Sequence, residues 1–202
     1  MSDATQGLAW RSPGAAWVAV GGLLMAGSVL AWWLPSPLLD WQPALAASEP
    51  WRAFSATFVH WSPLHLGANM LAAAVVTAYG WAARVPPAAA VAWLAAWPLT
   101  HLGLLLQPAL AHYGGVSGVL HAGVAIACLW LVTAPPGRVP RGRVVGALVL
   151  AGLLIKLASE QPWGAPLRHS AEWDIAVAPL AHATGAVAGL CCAALALWWD
   201  RG

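Results

Sequence analysis

The residues of this chain with the clearest capacity for chemistry are a serine and a histidine in glycine-rich surroundings. Ser117 lies within the run GGVSGVLH, and His182 lies within the run AHATGAVAG. A serine hydroxyl becomes an effective nucleophile when a neutral imidazole removes its proton during attack, and the imidazole can then return that proton to a leaving amine. The pair therefore predicts cleavage of a peptide bond, with Ser117 as nucleophile and His182 as base.

Such a reaction also needs hydrogen-bond donors for the negative charge that develops on the scissile carbonyl oxygen. His65 and Asn69 are four residues apart, so they share one face of a helix. Their side chains and the backbone N–H of Ser117 form the predicted oxyanion hole. Because no Asp or Glu lies inside an apolar segment to orient His182, the sequence predicts a Ser–His dyad.

The elements that must position these residues are long apolar segments. Of the 202 residues, 60% are hydrophobic and 8% are charged, whereas a soluble domain typically has about 25% charged residues. A membrane-spanning helix needs roughly 20 apolar residues. Six segments are candidates, of which the fifth is short and ends near Lys156. They comprise residues 14–34, 63–83, 87–107, 116–134, 143–159 and 178–199.

The predicted fold class is all-α, a polytopic membrane protein whose six transmembrane helices form one domain over residues 1–202. If residues 1–13 are a short cytoplasmic N-terminus, six basic residues lie on the inner side and three on the outer side. This asymmetry is the one that the positive-inside rule favours. Both termini are then cytoplasmic, residues 35–58 form a long outer loop, and the candidate site lies at the outer face.

Glycines close to the two reactive residues indicate how the helices approach each other. Gly115 belongs to a glycine pair just before Ser117, where the backbone can turn tightly. Gly185 and Gly189 form a strip of small residues in the sixth segment, on which another helix can pack closely. This strip is predicted to bring Ser117 and His182 face to face at a common depth.

Taken together and in order, these motifs resemble the signature of the rhomboid intramembrane proteases. The matching features are Trp51-Arg52, the pattern H-x4-H-x3-N from His60 to Asn69, G-x-S-G around Ser117, and A-H-x2-G-x3-G from residue 181. The likeness extends from about residue 50 onward. It implies the same roles for Ser117, His182, His65 and Asn69 as above. It also implies that no metal or organic cofactor takes part, and that His60, Trp51 and Arg52 have structural roles.

One departure points to a branch of that family. Many rhomboids carry an aromatic residue one turn after the serine, stacked on the catalytic histidine, whereas His121 occupies that position here. The run from Gly115 through Ser117 and Gly118 to His121, in a small protein, resembles the rhombosortase branch. That likeness implies a bacterial inner-membrane enzyme. Its substrates would be single-span proteins with a C-terminal Gly-Gly motif, a transmembrane helix and a basic tail.

Several other readings follow from the same residues. Lys156 could replace His182 as the base, although a lysine at a span end more often reaches to the interface, and it could pair there with Glu160. The bundle could bind membrane clients without cutting them, or hold a haem between histidines. The first apolar segment could be a signal peptide. The sequence offers no support for nucleic-acid binding, and it lacks the helical His-Glu-x-x-His motif of zinc proteases.

Overall fold

The structure is a computed structural model that describes residues 13–135, 137–169 and 171–199. Its regular structure is helical, as predicted, with two isolated antiparallel β-bridges. The predicted cytoplasmic segment 1–13 lies outside the described residues apart from its last position. The helices are α1 (Ala15–Ala31), α2 (Arg52–Ser55), α3 (Pro63–Ala82), α4 (Pro87–Leu102), α5 (Ser117–Thr133), α6 (Gly142–Glu160) and α7 (Pro179–Trp199).

Each of the six predicted apolar segments coincides with one of the six longer helices. Among the described residues, three helical segments are long and apolar enough to cross a membrane: Pro87–Leu106, Gly142–Glu160 and Pro179–Trp199. The first of these is α4 extended by a 3₁₀ turn. α1 and α5 are apolar but have 17 residues each. α3 has 20 residues and includes the polar His65 and Asn69.

α6 agrees with the predicted segment 143–159 to within one residue at each end. The helix continues past Lys156 to Glu160 and is terminated by Gln161 in a left-handed conformation, with φ of 52°. Lys156 and Glu160 lie four residues apart on this last turn and form an ion pair. The last residue of α6 therefore places a carboxylate at the end of the bundle at which α5 and α7 begin.

α5 lies at the centre of the bundle and packs most closely against α7. A Cβ atom placed on Gly185 would lie 2.0 Å from the carbonyl oxygen of Gly118, and one on Gly189 would lie 2.5 Å from that of Ala122. These distances are far below van der Waals contact, so any side chain at either position would separate the two helices. The glycine strip therefore lies at the contact between α5 and α7.

The segment between α1 and α3 is a packed structure built around a buried ion pair. Nη1 of Arg52 lies 3.1 Å from Oδ1 of Asp40, and the two side chains are only 5% and 4% exposed. Nη1 of Arg52 also donates to the carbonyl oxygens of Pro37 and Asp40, and its Nε donates to Glu49. The buried guanidinium thus closes the predicted outer loop on itself.

The same loop holds the chain that leads into α5. Nδ1 of His112 donates to Oδ2 of Asp40 over 2.6 Å. Trp41 and Tyr113 exchange two backbone hydrogen bonds, of 2.7 and 2.9 Å, and the N–H of Gly115 donates to the carbonyl oxygen of Ala56. Arg52 therefore stabilises the approach to Ser117 from a distance, through Asp40.

We expect Gly185→Ala to lower the free energy of unfolding by about 3 kcal/mol, because overpacking against backbone cannot be relieved by a side-chain rotation. Gly152→Ala in α6 is the matched control, since a Cβ there meets no atom within 4 Å. It should change stability by less than about 1 kcal/mol. Thermal unfolding of the detergent-solubilised variants measures both, and equal midpoints for the two would contradict the packing argument.

We expect Arg52→Ala to lower the free energy of unfolding by about 3 kcal/mol, because it leaves the buried Asp40 carboxylate without its cation. Glu49→Gln removes the more exposed partner of the same guanidinium and should cost less than about 1 kcal/mol. Thermal unfolding in detergent compares the two variants. A cost for Glu49→Gln equal to that of Arg52→Ala would show that the pair with Asp40 is not the dominant interaction.

Candidate active site

Ser117 and His182 lie within hydrogen-bonding distance of each other, as their motifs predict. Nε2 of His182 is 3.1 Å from Oγ of Ser117. Ser117 is the first residue of α5, and His182 lies in the first turn of α7. Because both side chains project from helix starts at the glycine contact, the separation of the two helices fixes the separation of the two groups.

His121 stacks on the imidazole of His182. The ring centroids are 4.1 Å apart and the planes differ by 13°. Nδ1 of His121 is 2.7 Å from the carbonyl oxygen of Ser117, one turn earlier in α5, and donates to it. That hydrogen bond holds the His121 ring flat against His182, so His121 occupies the stacking position that the sequence indicates.

The other ring nitrogen of His182 contacts a carboxylate that the sequence analysis missed. Nδ1 lies 2.7 Å from Oε2 of Glu160. The premise that no carboxylate reaches His182 is therefore wrong, because Glu160, one residue beyond the predicted segment 143–159, is the last residue of α6 and its side chain contacts α7. The available signal was the position of Glu160, four residues after Lys156 at the same end of the bundle.

Lys156 lies beside this arrangement rather than within it. Its ammonium group binds Oε1 of Glu160 and is 3.5 Å from Nδ1 of His182. The side chain is 47% exposed. The ion pair between Lys156 and Glu160 that the sequence suggested is confirmed, and its contacts involve the far side of the His182 ring from Ser117.

His65 and Asn69 lie on α3 next to the turn that precedes Ser117. Within the described residues, Nδ1 of His65 and Nδ2 of Asn69 are buried and have no hydrogen-bond partner. Gly115 adopts φ of +126°, and a Cβ there would lie 2.9 Å from Nε2 of His65 and 3.7 Å from Nδ2 of Asn69. A glycine is therefore favoured at this turn both by its backbone conformation and by the close approach of the His65 ring, whereas the distance to Asn69 is an ordinary van der Waals contact.

The start of α3 fixes His65 in this place. The hydroxyl of Ser62 caps the helix by accepting the backbone N–H of His65, and Pro63 occupies the first helical position. His60 packs on His65 with ring centroids 4.7 Å apart, and its Nδ1 donates to the carbonyl oxygen of Phe58. Burial lowers the pKa of His60 to about 4, so its ring is neutral at pH 7.

Trp51 and Arg52, which were predicted to have structural roles, lie in different environments. Arg52 is buried within the segment between α1 and α3, whereas Trp51 is 53% exposed. Only the arginine contributes to the packed core of the loop. The exposed indole has the amphipathic character that favours a membrane interface.

The candidate site opens into a cavity of about 450 Å³ that is lined by α3, α5, α6, α7 and the loops around them. Ser117, His182, His65, Asn69 and Glu160 all line it. A second, apolar depression lies between α3, α5 and α6 and shares Ala72, His121 and Lys156 with the first. The described residues contain no group of three or more His, Cys, Asp or Glu side chains that could hold a metal ion.

Comparison with known proteins agrees with this arrangement. The family model for the rhomboid domain matches residues 47–199, which is most of the chain. The matched region includes α3 to α7 and every residue of the candidate site. A search of curated proteins found no match. With its helical membrane bundle and this match, the chain belongs to the rhomboid family of intramembrane proteases.

Proposed function

We propose that this protein is a serine endopeptidase that cuts single-span membrane proteins near the outer end of their transmembrane helix, with Ser117 as nucleophile and His182 as base. The observation that carries the proposal is the 3.1 Å contact between Nε2 of His182 and Oγ of Ser117 at the wall of a cavity. A nucleophile within reach of an oriented base is the arrangement that acyl transfer requires.

The reaction follows from these positions. Oγ of Ser117 attacks the scissile carbonyl carbon while its proton moves to Nε2 of His182. The carbonyl oxygen becomes an oxyanion, which the Asn69 amide, the His65 ring and the Ser117 backbone N–H stabilise by donating hydrogen bonds. The C–N bond then breaks, and the proton passes from Nε2 to the leaving amine.

Water completes the cycle. His182 accepts a proton from the water as its oxygen attacks the acyl carbon, and the bond to Oγ of Ser117 then breaks as the proton returns to Oγ. The product is a new C-terminal carboxylate. The cavity at the end of the bundle supplies the water that this step needs.

The apolar depression between α3, α5 and α6 supports the proposal that the substrate is a transmembrane segment. It joins the cavity through Ala72 and His121 and continues along α6 past Val149 and Leu153. A transmembrane segment lying there would present its upper end to Ser117. The segment must unwind locally at the cut, since a helical carbonyl is already hydrogen-bonded, and glycine residues make that unwinding easier.

The proposed topology has six spans, cytoplasmic termini and an outward-facing site in a bacterial inner membrane. The side chain of Arg138 donates to the carbonyl oxygen of Arg84, which brings the α3–α4 and α5–α6 connections together. This basic end is opposite the helix starts that carry Ser117 and His182. A basic inner end agrees with the positive-inside rule.

The branch of the family is also part of the proposal. The stacked His121 supports assignment to the rhombosortases, whose substrates carry a C-terminal Gly-Gly motif, a transmembrane helix and a basic tail. A role in binding clients without cutting them would not require the Ser117–His182 contact. Haem ligation would need a free ring nitrogen on His182, and both nitrogens already have partners.

We expect a fluorophosphonate probe to label the wild-type protein and to leave Ser117→Ala and His182→Ala unlabelled, because both a nucleophile and its base are needed. Co-expression with a Gly-Gly-tailed membrane protein should yield a new C-terminus, located by mass spectrometry, only with the wild type. Equal labelling of the wild type and Ser117→Ala would exclude Ser117 as nucleophile. Cleavage restricted to substrates without the Gly-Gly motif would exclude the rhombosortase branch.

We expect Asn69→Ala to lower kcat by about 10²-fold, because one donor to the oxyanion is lost. Thr77→Val, two turns further along α3, is the control, since the Thr77 hydroxyl donates to the carbonyl oxygen of Ala73 within the helix. Its kcat should equal that of the wild type. Initial rates of peptide cleavage in detergent measure both variants, and a normal kcat for Asn69→Ala would remove Asn69 from the oxyanion hole.

A further inference from the structure

We infer that Glu160 is a positioning residue for His182, so that the catalytic group is a Ser117–His182–Glu160 triad rather than a dyad. This inference rests on the proposed function. Its basis is a continuous series of contacts, from Oγ of Ser117 to Nε2 of His182 over 3.1 Å and from Nδ1 of His182 to Oε2 of Glu160 over 2.7 Å. The carboxylate therefore lies on the opposite edge of the imidazole from the nucleophile.

The contact with Glu160 selects the useful form of the imidazole. A neutral histidine carries its single proton on either nitrogen, and the proton remains where an acceptor holds it. An ionised carboxylate has no hydrogen to donate, so it can only accept hydrogen bonds. Glu160 therefore keeps the proton on Nδ1 and leaves the lone pair of Nε2 directed at Ser117. During attack the same carboxylate stabilises the imidazolium that forms.

Glu160 is itself held in place by groups outside α6. Nη1 of Arg168 donates to the carbonyl oxygen of Glu160 over 2.8 Å. The backbone of Arg168 pairs with Val177 through two hydrogen bonds, of 2.8 and 2.9 Å, just before α7 begins. The end of α6 is thus tied to the segment that carries His182, so the carboxylate and the imidazole share one local framework.

His121 completes the constraint on the ring. It stacks on one face of the imidazole, while Glu160 and Ser117 contact its two nitrogens. Rotation of the ring about its Cβ–Cγ bond would break both edge contacts. Three independent contacts thus define a single orientation of His182, and Glu160 supplies the one that also sets its protonation.

The ammonium group of Lys156 lies close enough to His182 to counteract the effect of Glu160 on the protonation of that ring. Its Nζ binds the other carboxylate oxygen and is 3.5 Å from Nδ1 of His182. An adjacent anion favours the protonated imidazole and an adjacent cation disfavours it. Loss of either side chain should therefore move the pH dependence of activity, and in opposite directions. Further titratable or charged groups that line the same cavity are His65, His112, His121, Arg168 and His169.

The test compares Glu160→Gln with Lys156→Gln by initial rates of cleavage across pH in detergent. We expect E160Q to lower kcat by roughly 10²-fold with little change in KM, because the amide has no charge to stabilise the imidazolium. The acid limb of its rate–pH profile, where activity falls as His182 becomes protonated, should move to lower pH. In K156Q the acid limb should move to higher pH. A role in folding alone would not move the two limbs in opposite directions.

Glu160→Asp is the second variant, and it keeps the charge on a shorter side chain. Its acid limb should remain closer to that of the wild type than the limb of E160Q does, even if its rate falls. If E160Q is too unstable to assay, a wild-type kcat in Glu160→Asp overturns the inference, because the shorter side chain cannot keep the 2.7 Å contact with Nδ1 of His182.

The outcomes separate this inference from the proposed function. An active wild type and an inactive Ser117→Ala, together with wild-type kcat and acid limb in E160Q, would overturn the triad and leave the protease intact. A wild type that neither reacts with a fluorophosphonate nor cuts any transmembrane substrate would overturn the proposed function itself. Loss of rate in E160Q with the expected opposite limb shifts supports the triad.

Discussion

The close approach of α5 and α7 is the contact on which the rest of the candidate site depends. Inside a bilayer the lipid tails are as apolar as the side chains, so helices associate through van der Waals packing and hydrogen bonds rather than through the hydrophobic effect. Glycine makes this packing strongest because two backbones can touch. Gly185 meets the carbonyl of Gly118 and Gly189 meets that of Ala122. Ser117 and His182 lie within one turn of the first contact, and their distance follows from it.

The polar groups around this contact are positioned by the loops. Arg52 and Asp40 form a buried ion pair, which is costly to desolvate and favourable only when further hydrogen bonds satisfy both groups. Carbonyl oxygens, Glu49, Gln42 and His112 supply those bonds. The pair therefore defines one conformation of the long outer segment. Through Trp41 and Tyr113, that conformation holds the turn that places Gly115 beside His65 and Asn69.

α6 differs from the other helices that border the site. Few of its residues are buried, namely Gly142, Gly146, Leu153 and Leu157, and it borders the apolar depression on the side away from α3. Its last turn nevertheless carries Lys156 and Glu160 to His182. Arg168 fixes that turn from the loop before α7. One helix thus combines an apolar surface with the charged side chains that lie beside His182.

The sequence by itself predicted the helices, the candidate pair Ser117 and His182 and the glycines between them. Apolar length predicts a membrane helix because the bilayer leaves the backbone no other partners, and the patterns around Ser117, His182, His65 and Asn69 each lie within a few residues of one helix start. Only the tertiary structure decided that Glu160 contacts His182. The two residues are 22 positions apart on different helices, and their meeting depends on where α6 ends and on how Arg168 ties that end to α7. Local sequence patterns do not predict the contact between Glu160 and His182 or the role of Arg168, because both result from packing between distant segments.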